Sequence, residues 1–296
     1  MGYSGRYHAA SLAAVFLALA IGILIGVGFG SDLVSGTADD LERSLQDDIE
    51  AKNAEIEELE VQLAAAEDLG SELGPVVVDN RLRDRQIAIV AFGGLEEELA
   101  DDIRAAVESA AGTVREIAVV REPPDTAAVE EALPRRRGRG ETRDEQLSRA
   151  AQLTGEALIR GGDRFDALRA ALFSRYSGDP GGVDGVVIVR QQPEDMSDRE
   201  AADTELLEDG LIDGINDAFA DLPGTTPVTV VGAEATGTEP SSIEFFAERG
   251  ASSVDNVDQL AGQVALVYAL AGAEGEFGVK ETAQALLPDL LAPTGG

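Results

Sequence analysis

Residues 9–30 run for 22 positions without one charged side chain, and this run constrains the fold of the chain more than any other feature. As a helix rising about 1.5 Å per residue it is roughly 33 Å long, enough to cross a ~30 Å hydrocarbon core. The alternative is a cleaved signal peptide. Signal h-regions usually run about 7 to 15 residues, and Ser31, Asp32, Leu33 and Val34 offer no small-x-small cleavage site. The run therefore predicts a retained transmembrane helix. Within it Ala10, Ala14, Ala18, Gly22, Gly26 and Gly30 place a small residue at every fourth position, a ridge along which helix backbones approach closely in lipid. Eleven of the 22 residues are Ala, Gly or Ser, so the ridge favours self-association without demonstrating it.

Arg6 precedes the run, whereas Asp32, Asp39, Asp40 and Glu42 follow it. The cationic flank is expected to stay in the cytoplasm. That assigns 1–8 to a cytoplasmic N-terminus and places the bulk of the chain outside the cytoplasm. The absence of cysteine leaves the redox compartment open. A net charge of −33 excludes a basic nucleic-acid footprint for the chain as a whole. It attracts cations, although a dense acidic surface also serves solubility alone.

Residues 37–73 are helical in pattern and acidic. Leu45, Ile49, Ile56, Leu59, Leu63 and Ala66 fall on a and d heptad positions, with Lys52 as the polar exception. This predicts a short coiled-coil stalk. Asp48 and Glu55 at g and Glu60 at e repel across a parallel homodimer, so antiparallel and intramolecular partners stay open, as does a solvated stalk. Gly70, Gly74 and Pro75 mark a boundary with a globular domain, 76–296.

In that domain the period alternates. Apolar, strand-like runs occur at 86–92, 113–120, 185–190 and 228–232. Helical patterns occur at 95–111, 144–160, 163–176, 204–222, 242–249, 257–272 and 279–291. Strand runs without alternation imply a sheet covered on both faces, so the expected fold is α/β, a three-layer domain with a mainly parallel sheet. The 44% hydrophobic content is enough for a packed core.

The chemistry-bearing residues are few. The only histidine is His8, and cysteine is absent, which leaves no Ser/His or Cys nucleophile template and predicts a protein that is not an enzyme. Fifty-six acidic residues make any carboxylate pair or metal site uninformative without distances. Soft copper sites use Cys, Met or His, and here only His8, Met1 and Met196 are available, so no tightly bound cofactor is expected. Gly93 and Gly94 form a turn that could receive an anion at the start of a helix. Glu96, Glu97 and Glu98 occupy the position where a phosphate would sit. Arg135, Arg136, Arg137, Arg139 and Arg143 form the one basic cluster, in a Pro/Gly-containing stretch spanning 121–145. Its plain reading is a solvated loop; its sharper one is a contact with the acidic stalk or an anionic envelope polymer.

The stretch Arg6-Tyr-His-Ala-Ala-Ser-Leu-Ala-Ala-Val-Phe-Leu-Ala-Leu-Ala20, with Gly22, Gly26 and Ser31-Asp32, resembles the start of the mycobacterial copper transport protein B (MctB) family. The segment from Val264 to Gly272, then Gly275, Phe277-Gly278 and Leu286-Leu287-Pro288, resembles that family's closing segment. The resemblance covers essentially the whole chain. It implies an actinobacterial envelope protein of copper homeostasis, a pore-forming efflux component of the outer membrane with copper as the transported ion. One hydrophobic helix cannot line a channel alone, so a pore requires a homo-oligomer joined through the ridge and the stalk. The rival expectation is a membrane-anchored structural or interaction protein without transport activity.

Overall fold

A computed structural model of the chain describes residues 4–133, 140–162, 165–191, 193, 195–220 and 229–289. The chain divides into two compact units, Met1–Ala66 and Glu67–Gly296.

The first unit is helical. It belongs to α1 (Ser4–Val78), a helix of 75 residues that contains the uncharged run and the heptad stripe. Every side chain described there, 10–26 and 44–66, is exposed. Among the described residues no helix is long and apolar enough to cross a membrane. The spanning segment expected at 9–30 is thus not attained by the described residues, whose side chains in that run extend from Ala10 to Gly26. Leu45, Ile49, Ile56, Leu59 and Leu63 are 52–60% exposed, so the stripe lies uncovered.

The second unit starts with the last turns of α1. α1 runs on through Gly70, Gly74 and Pro75, five residues beyond the helical stretch expected to close at 73. A Cβ at Gly70 or Gly74 would lie 2.6 or 2.9 Å from the Leu260 side chain, so both glycines serve a close crossing. Pro75 lies in the final turn, where Val78 is buried and Val77 O accepts a hydrogen bond from Tyr268 Oη. Tertiary packing holds the turn that proline weakens.

The elements that follow are β1 (Gln86–Gly93), α2 (Glu97–Ser109), β2 (Thr113–Val120), α3 (Thr126–Ala132), α4 (Arg143–Arg160), α5 (Phe165–Leu172) and β3 (Phe173–Gly178). After them come β4 (Gly185–Gln191), α6 (Asp198–Ala220), β5 (Thr229–Ala233), α7 (Ile243–Glu248), β6 (Ser252–Val254), α8 (Leu260–Leu270) and β7 (Glu276–Phe277). The strands form one sheet in the order β3-β2-β1-β4-β5-β6-β7. Every pairing is parallel except β2 with β3.

Six consecutive buried residues in β1 fit a strand covered on both faces. Ala88, Val90 and Phe92 pack into the core beneath α3 to α7, whereas Ile87, Ile89 and Ala91 pack into that beneath α2, α8 and the end of α1. The period-2 geometry of a strand makes this division. On the first face α4 and α6 touch backbone to backbone: a Cβ at Gly214 would sit 2.0 Å from Gln152 O. α4 opens with a capping box between Thr142 and Glu145 and closes at Gly161, whose φ is +71°.

Three expectations are corrected. The helix expected at 163–176 gives way at Phe173 to an edge strand, because Phe173 and Tyr176 pack with Phe165 while Ser174, Arg175 and Ser177 face solvent. The stretch expected as loop contains α3, capped by Asp125 accepting from Ala128 N–H. Residues 279–289 form no helix, because the Asp255 carboxylate captures the N–H groups of Val279 and Lys280 at 2.7 and 2.9 Å.

Candidate functional site

β1 is flanked by β2 on one side and β4 on the other, so successive crossovers leave it in opposite directions. In open parallel sheets this switch point opens a crevice beyond the carboxyl ends of the strands, the usual place for a ligand. Here the crevice is built from Gly93 and Gly94 after β1, Glu122 just beyond β2, and Arg190 and Gln191 at the end of β4.

Gly93 and Gly94 bring the β1 and β4 ends together. Gly93 has φ +80°, and a Cβ on it would lie 2.1 Å from Gln191 O and 3.2 Å from Glu122 Oε2. Gly94 N–H donates to Gln191 O at 3.1 Å, and Gln191 Nε2 donates to Glu96 Oε1 at 3.3 Å. Glu96 is the N-cap of α2. The glycine turn thus closes on the protein itself, and the carboxylates expected at the helix start are there.

Arg190 donates from Nε and Nη2 to Glu208 Oε1 and Oε2 at 2.7 and 3.1 Å. Its guanidinium lies 4.2 Å from the ring centre of Phe245, whose ring also lies 3.7 Å from the Arg249 guanidinium. Arg249 is held in turn by Asp209 at 2.6 Å. Two adjacent acids of α6 therefore place two arginines on one aromatic ring.

Glu122 stands beside this pair without a partner. Both its carboxylate oxygens are out of contact with solvent and accept no hydrogen bond. Burial, reinforced by the Glu208 charge and opposed by Arg190, pushes its carboxyl up to about 8. Farther along the edge, buried Glu234 accepts from Ser241 Oγ, Ser242 N–H and Lys280 Nζ at 2.7, 2.7 and 2.6 Å. Ser242 Oγ donates to Arg190 O at 3.1 Å and so ties the two clusters together.

A second buried acid lies away from the crevice. Glu116 on β2 accepts from Tyr176 Oη of β3 at 2.5 Å, and burial pushes its carboxyl up to about 7. A hollow of about 350 Å3 between α3 and α4 is lined by Thr126, Glu130, Glu141, Arg143 and Gln146. Arg143 of the basic cluster is engaged there by Thr126 and Asp203. Arg135, Arg136, Arg137 and Arg139 lie outside the described residues.

The ridge residues Ala10, Ala14, Ala18, Gly22, Gly26 and Gly30 all lie in α1. A Cβ on Gly22 or Gly26 would meet nothing within 4 Å. Among the described residues no group of three or more His, Cys, Asp and Glu is placed to hold a metal ion. The crevice residues Glu122, Arg190, Glu208 and Glu234 escaped the sequence reading. The signal lay in their positions: Arg190 ends one buried strand run, Glu234 directly follows another and Glu122 lies two residues beyond a third, where a parallel sheet gathers its functional side chains.

The chain is 28% identical over 169 residues to the protein named copper transporter MctB in Mycobacterium bovis and to those of the same name in two strains of Mycobacterium tuberculosis. The match covers 57% of this chain and 52% of each relative, so the chain spans about half the length of the curated relatives it matches. The family model described as "Copper transport outer membrane protein, MctB" matches residues 3–288, nearly the whole sequence, and the chain belongs to that family.

Proposed function

We propose that the chain serves copper transport and copper homeostasis at the cell envelope, with copper as cargo and not as a resident cofactor. The observation that carries this reading is the family match across residues 3–288. In it, residues 9–30 anchor the protein once in a membrane, 1–8 stay in the cytoplasm and 76–296 lie outside. The description of the family points to the outer membrane. The chain has no enzymatic role in this reading.

A single helix cannot enclose a pore, so conduction calls for several copies joined through the Ala10-to-Gly30 ridge and the heptad stripe. Two observations support that assembly: the open positions at Gly22 and Gly26, and the uncovered Leu45, Ile49, Ile56, Leu59 and Leu63. An acidic lining suits cation passage without tight binding. The arginines at 135, 136, 137 and 139 would contact an anionic envelope polymer.

Deletion of the gene tests the transport role. Under copper stress the mutant accumulates copper and loses tolerance; unchanged accumulation and tolerance reject the role. The uncovered heptad stripe also favours a second reading, a membrane-anchored protein that gathers envelope partners. Bilayer recordings separate the two: ion conductance from the full-length protein, absent from a variant lacking 9–30, belongs to the first reading alone.

A further inference from the structure

The N-terminal ends of β5, β6 and β7 border a hollow of about 400 Å3, at the end of the sheet opposite the crevice. Two turns shape its rim, one at Gly250 before β6 and one from Gly272 to Gly275 before β7. Gly250 and Gly272 have φ +66° and +105°, and a Cβ on either would meet nothing within 4 Å. The chain therefore passes the hollow there as bare backbone, which leaves room for a guest. Ile212 of α6 and Val230 of β5 supply an apolar wall.

The charges of this wall do not balance. Among the described residues Arg249 is its one basic side chain, and each of its three nitrogens already donates within the protein. Nε and Nη2 donate to Asp209 Oδ1 at 3.1 and 2.6 Å, and Nη1 to Phe245 O at 3.0 Å. The wall's two acids, Glu274 and Glu276, receive none of these bonds. Glu276 Oε2 is out of contact with solvent and accepts no hydrogen bond. A carboxylate that has lost water on one side without gaining a donor favours a cation on the other. The Ser252 hydroxyl brings no relief, since it donates to Ala273 O at 3.3 Å and accepts from Gly275 N–H at 3.2 Å.

We propose that this hollow binds a small organic ammonium ion, its charge held by Glu274 and Glu276 and its carbon chain laid along Ile212 and Val230. The volume is that of a small-molecule site, on the order of 300 to 1,000 Å3. An ammonium group brings three N–H donors and asks only for acceptors, of which the exposed Asn216 amide on the same wall offers one more. A hard divalent metal asks instead for a shell of about six oxygens. Among the described residues no group of three or more His, Cys, Asp and Glu is placed to begin such a shell. The inference is independent of the copper reading, since neither the family match nor the crevice enters it.

Calorimetric titration of the full-length protein in detergent with n-butylammonium chloride tests it, with 1-butanol as the neutral probe of equal chain length. Physiological salt is used, because it screens diffuse attraction to the acidic surface. The wild type is expected to bind butylammonium saturably at one site, to ignore 1-butanol, and to keep the amine against an equal concentration of Mg2+. Glu276→Gln is expected to weaken binding about tenfold or more. Asn216→Trp, which fills the hollow from an exposed position on α6 without altering a charge, is expected to abolish it. Glu60→Gln, the same loss of charge on α1, is expected to retain the wild-type affinity. The site is overturned by absent saturation, by equal binding of 1-butanol, by displacement of the amine with Mg2+, or by an equal loss in Glu60→Gln. Undiminished affinity in Asn216→Trp overturns it as well, and that variant decides the matter should Glu276→Gln fail to fold.

Discussion

Arg190 and Glu208 meet in a two-point fork, with Nε to Oε1 at 2.7 Å and Nη2 to Oε2 at 3.1 Å, linking the end of β4 to the middle of α6. The acid is 1% exposed and the base 19%. Removing one partner leaves the other charged and buried. Glu208→Ala is therefore expected to lower stability by about 3 kcal/mol or more. Urea unfolding checks this, and the loss should exceed that of Lys52→Ala, whose partner Glu55 is exposed.

Gly93→Ala should destabilise the domain although only a methyl is added. The residue has φ +80°, and the new Cβ would lie 2.1 Å from Gln191 O. Strain in the left-handed region and displacement of backbone together predict a loss of about 2 kcal/mol. Gly140→Ala is the contrasting control: nothing lies within 4 Å of its Cβ, its φ is not left-handed, and the lost glycine freedom favours the folded chain by about 0.5 kcal/mol. Thermal unfolding of the two variants should move in opposite directions or leave only Gly93→Ala displaced.

Stability should decline from weakly acidic to weakly alkaline pH through two acids. Burial raises Glu116 to about 7 and Glu122 to about 8 from ordinary values near 4.5. Between those limits the native state holds protons that the unfolded chain has released. Each group's contribution is therefore complete below about pH 4.5 and lost as pH rises through 7 and 8 respectively. Urea midpoints at pH 5.5 and 8.5 should differ less in a Glu116→Gln/Glu122→Gln variant than in the wild type. An identical difference rejects the assignment of the protons.

The heptad stripe should govern association. Leu59 and Leu63 are 56% and 60% exposed in the single chain. Replacing both with Asn removes apolar area from a would-be interface with little cost to the chain itself. Light scattering of the full-length protein in detergent is expected to report a lower mass for the double variant. Equal masses place any oligomer contact elsewhere, with the ridge at Gly22 and Gly26 as the next surface to alter.

Sequence alone determined the elements whose pattern is local. β2 is found at Thr113–Val120, and the unbroken apolar runs of β1 and β4 sit at the heart of a mainly parallel sheet. The N-terminal and C-terminal motifs were likewise enough to indicate the family that the match across residues 3–288 bears out. Tertiary structure decided what depends on a neighbour. Residues 173–178 pair with β2 because an open edge and an aromatic cluster await them, and α1 runs past Pro75 because Leu260 and Tyr268 pack on its last turns. The crevice was invisible for the same reason. Glu122 and Arg190 lie far apart in the chain and come to the same crevice only once crossovers of opposite sense set β2 and β4 on either side of β1, and Glu208 reaches Arg190 only when α6 packs on the sheet, juxtapositions that no periodicity records.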